Sequence, residues 1–399
     1  MLASVRPAFS ARLGRAGVAP LIAMTMRARE MRAAGVDVMT LTIGEPDFAS
    51  PPHAIAAAHA AALAGQTKYP PQDGTPGLKA AIARRHARDH GLDVAADEIM
   101  VGNGGKQVIF DALLATVDAG DEVLIPTPYW TAYALITEVV GGVPRFVACA
   151  ADRGFRLDPA DLDAAIGPRT RWLILNSPNN PTGAALSRAE LVAIGQVLAR
   201  HPHVWVLTDD MYGRLRYDGE PPVTLAEVAP HLADRLLTVD GASKTYAMTG
   251  WRIGWGIGPA PLIRAMANMQ GQATAGVSTV GQAAAAAALD GPQDGVAEQV
   301  AAYRRRRDLV VEALSALPGV TCARPEGAFY VFPSIAPLLG GRLADDAAFA
   351  TALLVEAHVA TVPGSSFGAP GHLRLSTATD DATLTRACAA IGGFVRGLD

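Results

Sequence analysis

Of the 34 basic residues in the chain only four are lysines, Lys68, Lys79, Lys106 and Lys244, so chemistry that needs a primary amine has few candidates. Lys244 is the best placed. It follows the apolar run Leu236-Leu-Thr-Val239, which reads as a buried strand, and it lies in a stretch dense in glycine and small residues, Gly241-Ala-Ser-Lys-Thr-Tyr-Ala-Met-Thr-Gly-Trp-Arg-Ile-Gly254. An amine at such a position loses solvation and its pKa falls, which favours the neutral form that attacks a carbonyl to give a Schiff base. Arg252 lies eight residues further on. An always-charged fork beside a lysine suits an anionic ligand, most simply a phosphate. A lysine before a glycine-rich turn is more often a solvated surface residue, so the other chemistry-bearing residues must decide between the two readings.

The loop Gly102-Asn-Gly-Gly105 lies between a strand over Glu98 to Val101 and a helix from Lys106 to about Thr116. Gly104 and Gly105 let backbone N–H groups and the helix dipole face a phosphate. The glycine spacing is not that of a nucleotide-binding phosphate loop, and Gln107 follows the lysine where Ser or Thr is needed; a bare tight turn fits equally well. A strand over Glu122 to Pro126 delivers Trp130, either a core residue or a flat face for an aromatic ring. A strand over Thr170 to Leu175 ends in Asn176-Ser-Pro-Asn-Asn-Pro-Thr-Gly183, and another from Val204 ends in Asp209-Asp210, with Tyr212 beyond. Two aspartates after an apolar strand pass for a magnesium site, but the phosphate loop that accompanies such a site is missing. Gly44, in Gly44-Glu-Pro-Asp-Phe48, ends a short strand over Asp37 to Ile43 and reads as a turn. Tyr69 stands isolated in Lys68-Tyr-Pro-Pro-Gln-Asp-Gly-Thr-Pro-Gly77, and Arg374 falls on a strand in His372-Leu-Arg-Leu-Ser376. Packing under its own loop and a surface ion pair are their plain readings.

The run Gly241–Gly254 resembles the cofactor-lysine segment of the class I aminotransferases, pyridoxal 5'-phosphate (PLP) enzymes of fold type I, in particular the bacterial aspartate aminotransferases. Gly44-Glu-Pro-Asp-Phe48, Asn179-Asn-Pro-Thr-Gly183, Asp209 with Tyr212, and the segment around Arg374 resemble further motifs of that family, in the family's order. The resemblance implies that Lys244 holds PLP as an imine, that Asp209 keeps the pyridine nitrogen protonated, and that Asn180 and Tyr212 tune the phenolic oxygen. It implies Trp130 as the face on which the ring stacks. Around the phosphate it implies Arg252, Ser243 and the amides of Gly104 and Gly105 next to Lys106, joined by Tyr69 from a partner subunit. Arg374 is implied to clamp the substrate α-carboxylate, with Gly44, Trp130 and Asn180 also near the substrate, and no metal is expected. The implied reaction moves the amino group of an L-amino acid to a 2-oxo acid by a ping-pong route, with the freed Lys244 amine carrying the proton from Cα. Tyr69 carries the expectation of a homodimer with active sites at the interface. Many relatives have a serine three residues before the lysine where this chain has Gly241, which predicts looser cofactor binding. Lys106 resembles the lysine that in one bacterial subgroup faces the distal substrate carboxylate, favouring aspartate and glutamate. The apolar segment Gly17-Val-Ala-Pro-Leu-Ile22 favours aromatic or aliphatic amino acids instead.

The elements that must position these residues alternate between strand and helix, which predicts an α/β fold with a mostly parallel sheet and ligands at the strand C-terminal ends. With the resemblance, the expected division is an N-terminal arm and part of a small domain over 1–50, a large PLP-binding domain over 51–300, and a small C-terminal domain over 301–399. A long helix is predicted over about Gly291 to Leu317, with Arg304 to Arg307 as a solvated face. Half of the 399 residues are hydrophobic, charged residues make up 18% and the net charge is −4, so nucleic-acid binding has no electrostatic footprint. Cys149, Cys322 and Cys388 lack metal or redox spacing and read as buried thiols in a reducing compartment. No apolar run is long enough to span a bilayer. Residues 1–29 hold arginines and no acid, which superficially matches a transit peptide; a basic arm on a cytoplasmic protein is the preferred reading. The rival functions are a PLP-dependent β-lyase on the same fold and a ligand-sensing domain of a transcription regulator, for whose DNA-binding segment the length leaves no room.

Overall fold

The computed structural model describes residues 9–14, 20–217, 219 and 222–398. The basic N-terminal stretch and the apolar segment Gly17 to Ile22 lie outside the described residues, apart from the short turn Ala11–Gly14 and a helix that begins at Pro20. Seven strands form the central sheet in the order Ile99–Gly102, Gly254–Ile257, Leu236–Gly241, Trp205–Asp209, Thr170–Asn176, Glu122–Thr127 and Val143–Ala148. Neighbours run parallel except for Gly254–Ile257, which is antiparallel to the strands on both sides of it. This is the mostly parallel α/β sheet expected from the alternation.

The inner strands are apolar at nearly every position because helices cover both faces. Trp172 and Ile174 point to one side, into a core with Val108 and Leu113 of helix Gly105–Thr116 and Met266 of helix Ala260–Ala273. Leu173 and Leu175 point to the other, onto Leu191, Ile194 and Leu198 of helix Arg188–Ala199. Each such side chain contributes about 2 kcal/mol of burial, enough that a slip in strand register would be costly. Helix Arg188–Ala199 begins where Ser187 and Glu190 cap each other's backbone N–H groups, so its start is locally encoded.

A second core gathers both ends of the chain. Met39 and Leu41 pack with Val310, Phe349, Leu353, Val359, Leu375 and Ile391. Met39–Thr40 pairs in parallel with Val359–Ala360, and Leu373–Ser376 lies between Val362–Pro363 and Tyr330–Val331 in an antiparallel sheet. The Ser376 amide donates to the Leu41 carbonyl at 2.8 Å, which ties the segment before Gly44 to the strand that carries Arg374.

The long helix runs over Asp294–Ser315, and there the solvated arginine face is not what forms. Arg304 and Arg305 are exposed, but Arg306 and Arg307 are buried. Arg306 bridges Asp47 and Asp381, both at 2.9 Å, and Arg307 donates to the Pro325 carbonyl while lying 4.9 Å from the Tyr217 ring. Four consecutive helical residues sweep around the whole axis, so they cannot share one face. Cys149 and Cys388 are buried as expected, whereas Cys322 is only half-buried.

Asp111, in the helix Gly105–Thr116, is fully buried, and neither carboxylate oxygen has a hydrogen-bond partner. Burial pushes its carboxyl up to about 7, against a smaller opposing pull from Gln107. A carboxyl held above its ordinary range weakens the fold as pH rises from about 4 to about 7, and the penalty is complete above that. Asp111→Asn is expected to raise Tm by roughly 2–5 °C at pH 8 and much less at pH 5. Thermal melts at both pH values check this; an equal change at the two would contradict it.

Candidate active site

Four parallel strands, those ending at Thr127, Asn176, Asp209 and Gly241, finish on one edge of the sheet, where a cavity of about 280 Å³ opens. Lys244 sits in the helical turn Ala242–Thr245 that follows Gly241. Of the residues predicted for the site, Gly44, Gly105, Lys106, Trp130, Asn180, Asp209, Tyr212, Ser243, Lys244, Arg252 and Arg374 all line this cavity. Gly104 adjoins it, since a Cβ there would lie 2.5 Å from an Arg252 terminal nitrogen. Tyr69 is not brought to the cavity: its side chain is 91% exposed.

Three of the cavity's four cations are held by carbonyl oxygens rather than by acids. Lys244 Nζ donates to the Gly44 carbonyl at 2.5 Å. Arg252, whose backbone is left-handed with φ +57°, donates to the carbonyls of Thr249 at 2.8 Å and Asn103 at 3.2 Å. Arg374 donates to the Thr42 carbonyl at 2.6 Å and to Asn180 Oδ1 at 3.0 Å, and its buried Nε has no partner. Lys106 Nζ lies 4.9 Å from the centre of the Trp130 ring. Among the described residues no carboxylate forms a salt bridge with any of these four cations, the nearest electrostatic relief for Lys244 coming from Glu45 and Asp209 at longer range. Burial pushes the Lys244 amine down to about 8, and Arg252 and Arg374 push it the same way. Lys106 is lowered by burial and then by Arg252.

Asp209 is anchored from three directions. Its Oδ2 accepts from the Tyr133 hydroxyl at 2.6 Å, its Oδ1 from the Met211 amide at 3.2 Å, and its carbonyl from Asn176 Nδ2 at 2.8 Å. Burial pushes its carboxyl up to about 6, against these hydrogen bonds, so it is mostly ionised at neutral pH. The Asn180 amide donates to Asn176 Oδ1 at 2.8 Å. The hydroxyls of Tyr212 and Tyr330 are 2.8 Å apart.

Tyr133, Asn176, Met211 and Tyr330 also line the cavity and were missed in the sequence. Asn176 carried a signal, since it opens the run that ends at Gly183. Tyr133 stands one helical turn after Trp130. Met211 also carried one, since it lies between Asp209 and Tyr212; Tyr330 had none, because it enters through the packing of a distant segment.

The residues present fit PLP. Gly104, with φ +83°, turns the chain into the N-terminus of helix Gly105–Thr116 beside Arg252, a phosphate cradle that a Cβ at Gly104 would fill. Contrary to expectation its own N–H donates to the Gly102 carbonyl at 2.7 Å, which leaves the amides of the helix's first turn, from Gly105 on, to face a phosphate. A buried amine with a lowered pKa suits an aldehyde, and an ionised buried carboxylate suits a protonated ring nitrogen. A Cβ at Gly241 would lie 3.0 Å from the Ile253 carbonyl and 3.1 Å from Met211, so a side chain there is tight, and the hydroxyl at the cavity wall is that of Ser243 instead.

The family model of aminotransferase class I and II matches residues 36–391. The aspartate/prephenate aminotransferase of Cereibacter sphaeroides is 49% identical over 392 residues, which is 97% of this chain and 98% of that protein. An aspartate aminotransferase of Rhizobium meliloti is 50% identical over 384 residues, covering 95% of this chain and 94% of its own. Among solved structures, the aspartate aminotransferase from Rhizobium meliloti superposes with a TM-score of 0.95 at 48% identity, covering 97% of this chain and 98% of that one. The Thermus thermophilus aspartate aminotransferase with maleate gives 0.92 at 40% identity, covering 97% and 100%. With a match across nearly its whole length and a cavity chemically suited to the cofactor, the chain belongs to the class I and II aminotransferases, the PLP-dependent transaminases of fold type I.

Proposed function

We propose that this transaminase exchanges the amino group of aspartate or glutamate with a 2-oxo acid, and that its relatives' second substrate, prephenate, is accepted by the same cavity. The carrying observation is the set of cations, Lys106, Arg252 and Arg374, none paired with a carboxylate among the described residues. They match in number the three anionic groups that a dicarboxylic substrate and a phosphate-bearing cofactor bring. Prephenate also carries two carboxylates. The relatives named for aspartate, and the Thermus structure solved with the dicarboxylate maleate, support this choice. The comparisons lend no support to the lyase or ligand-sensor readings.

PLP, once bound, supplies the electron sink for the bond to Cα. In our reading Arg252, Ser243 and the amide of Gly105 bind its phosphate, Gly104 shapes the turn that lets them approach it, and Trp130 covers the ring. Asp209, held by Tyr133 and Asn176, faces the ring nitrogen, while Asn180 and Tyr212 face the phenolic oxygen. Arg374 holds the substrate α-carboxylate, its unpartnered Nε supplying a donor, and Lys106 holds the distal carboxylate. Lys244, displaced by the substrate amine, takes the proton from Cα and returns one from the same side. Arg374 is buried, which strengthens its hold on a carboxylate, whereas Lys106 and Arg252 reach solvent.

We also propose a homodimer in which Tyr69 reaches the partner's phosphate end. Its exposure and that of Leu63, at 91% and 76%, support a covered surface there. The domain division over 1–50, 51–300 and 301–399 is our reading of the two cores, one of which joins Met39 and Leu41 to residues beyond Val310. A cytoplasmic location is supported by the free cysteines; no helix among the described residues is long and apolar enough to cross a membrane.

Lys244→Ala is expected to lose the visible PLP band and to cut turnover by on the order of 10⁴-fold while keeping the wild-type circular dichroism spectrum. Retained turnover would sink the assignment. Lys106→Ala is expected to lower kcat/KM for aspartate by roughly 10- to 100-fold and to leave alanine and phenylalanine nearly unaffected; equal losses across the three would argue against the distal-carboxylate role. A neutral amine is the form that captures an aldehyde, and the Lys244 amine loses its proton near pH 8. The rate at which the PLP-free protein captures PLP is therefore expected to rise up to about pH 8 and then level off. Stopped-flow absorbance follows it, and a rate still climbing at pH 10 would contradict the lowered pKa.

A further inference from the structure

We propose that Tyr330 is a positioning residue of the transamination site, donating its phenolic proton to the Tyr212 oxygen and holding its ring under Arg374. The inference rests on the role assigned above to Tyr212. Tyr330 is buried in strand Tyr330–Val331, its hydroxyl 2.8 Å from that of Tyr212 and its ring centre 4.6 Å from the Arg374 guanidinium. One side chain thus touches both a group predicted to face the cofactor and the group predicted to hold the substrate.

The direction of the hydrogen bond follows from the role of Tyr212. Burial raises the pKa of both phenols, so both oxygens carry their protons at neutral pH, and one must donate to the other. Either hydroxyl can donate to the other, but in our reading the Tyr212 proton is committed to the cofactor's phenolic oxygen, which leaves the Tyr212 oxygen to accept from Tyr330. With Tyr330 donating, the Tyr212 proton is free for the cavity, which both side chains line. A hydroxyl that accepts one hydrogen bond donates a stronger one, so Tyr330 sharpens Tyr212 as a donor. Gly44 makes the arrangement possible: a Cβ there would lie 2.4 Å from the Tyr330 oxygen.

Donation from Tyr212 draws electron density from the cofactor's phenolic oxygen, so the nearby titrating proton is held less tightly. Loss of the Tyr330 hydroxyl reverses this. In the PLP-loaded enzyme, Tyr330→Phe is expected to raise the pH midpoint of the visible absorption band by about half to one pH unit, the scale of one hydrogen bond. The same change made in a Tyr212→Phe background is expected to shift the midpoint no further. Tyr330→Leu, which also removes the ring under Arg374, is expected to raise KM for aspartate roughly tenfold above that of Tyr330→Phe. A titrating wild type whose midpoint Tyr330→Phe leaves unmoved, or a shift equally large without the Tyr212 hydroxyl, overturns the hydroxyl's role. Equal KM values in the Phe and Leu variants overturn the ring's role. A wild type with no titrating band overturns the cofactor reading, and this inference with it.

Discussion

Positive charge on Lys244 and Arg374, withdrawn from water with no carboxylate salt bridge among the described residues to neutralise it, is the constraint on which the rest of the site depends. Lys244, Arg252 and Arg374 are solvated by backbone carbonyls of Gly44, Thr249, Asn103 and Thr42. A carbonyl satisfies a donor without cancelling its charge, so each cation keeps its attraction for an incoming anion. The cost of such an arrangement is desolvation, and it appears as the lowered pKa of Lys244. That same shift makes the amine reactive, so binding and chemistry draw on one physical cause.

Carbonyls can serve in this way only if the backbone that bears them is fixed. The stretch Thr42 to Gly44 supplies oxygens to both Arg374 and Lys244, and it is held by the Leu41 amide donating to Ala360 at 2.8 Å and the Leu41 carbonyl accepting from Ser376. The chain ends are therefore joined to the central sheet through the site itself. A second route runs from Asp209 through Asn176 and Asn180 to Arg374, each contact a hydrogen bond of 2.8 to 3.0 Å. The Asn176 side chain ties the backbones of Asp209 and Asn180 together, and the Asn180 side chain then holds the Arg374 guanidinium, so the residue proposed for the ring nitrogen and the one proposed for the substrate are kept in register.

Behind the sheet, charge is handled in the opposite way. Arg85 bridges Asp240 at 2.7 Å and Asp89 at 3.2 Å, and Arg214 reaches Asp89 at 3.1 Å. These pairs are mutually neutralised and buried, so they bind nothing further, and breaking one by removing a single partner costs about 3–5 kcal/mol. Asp240 and Gly241 are consecutive, yet the first faces this closed network, while a Cβ on the second would point toward Met211, which lines the cavity. The two-residue period of the strand is what separates them.

Much of this was legible in the residues alone. Strand ends punctuated by Gly, Pro and Asn, at Gly102, Thr127, Asn176, Asp209 and Gly241, are encoded locally, because turn and strand preferences depend on near neighbours. The order of those ends also limited which side chains a parallel sheet would bring to one edge. Tyr330 meeting Tyr212 across 118 positions, and Arg306 and Arg307 turning inward while Arg304 and Arg305 stay in water, had no such signature. Local pattern determines where a strand stops and what it offers there. Which distant surfaces then cover it depends on shape and burial across the whole chain, and only the packed structure decides that.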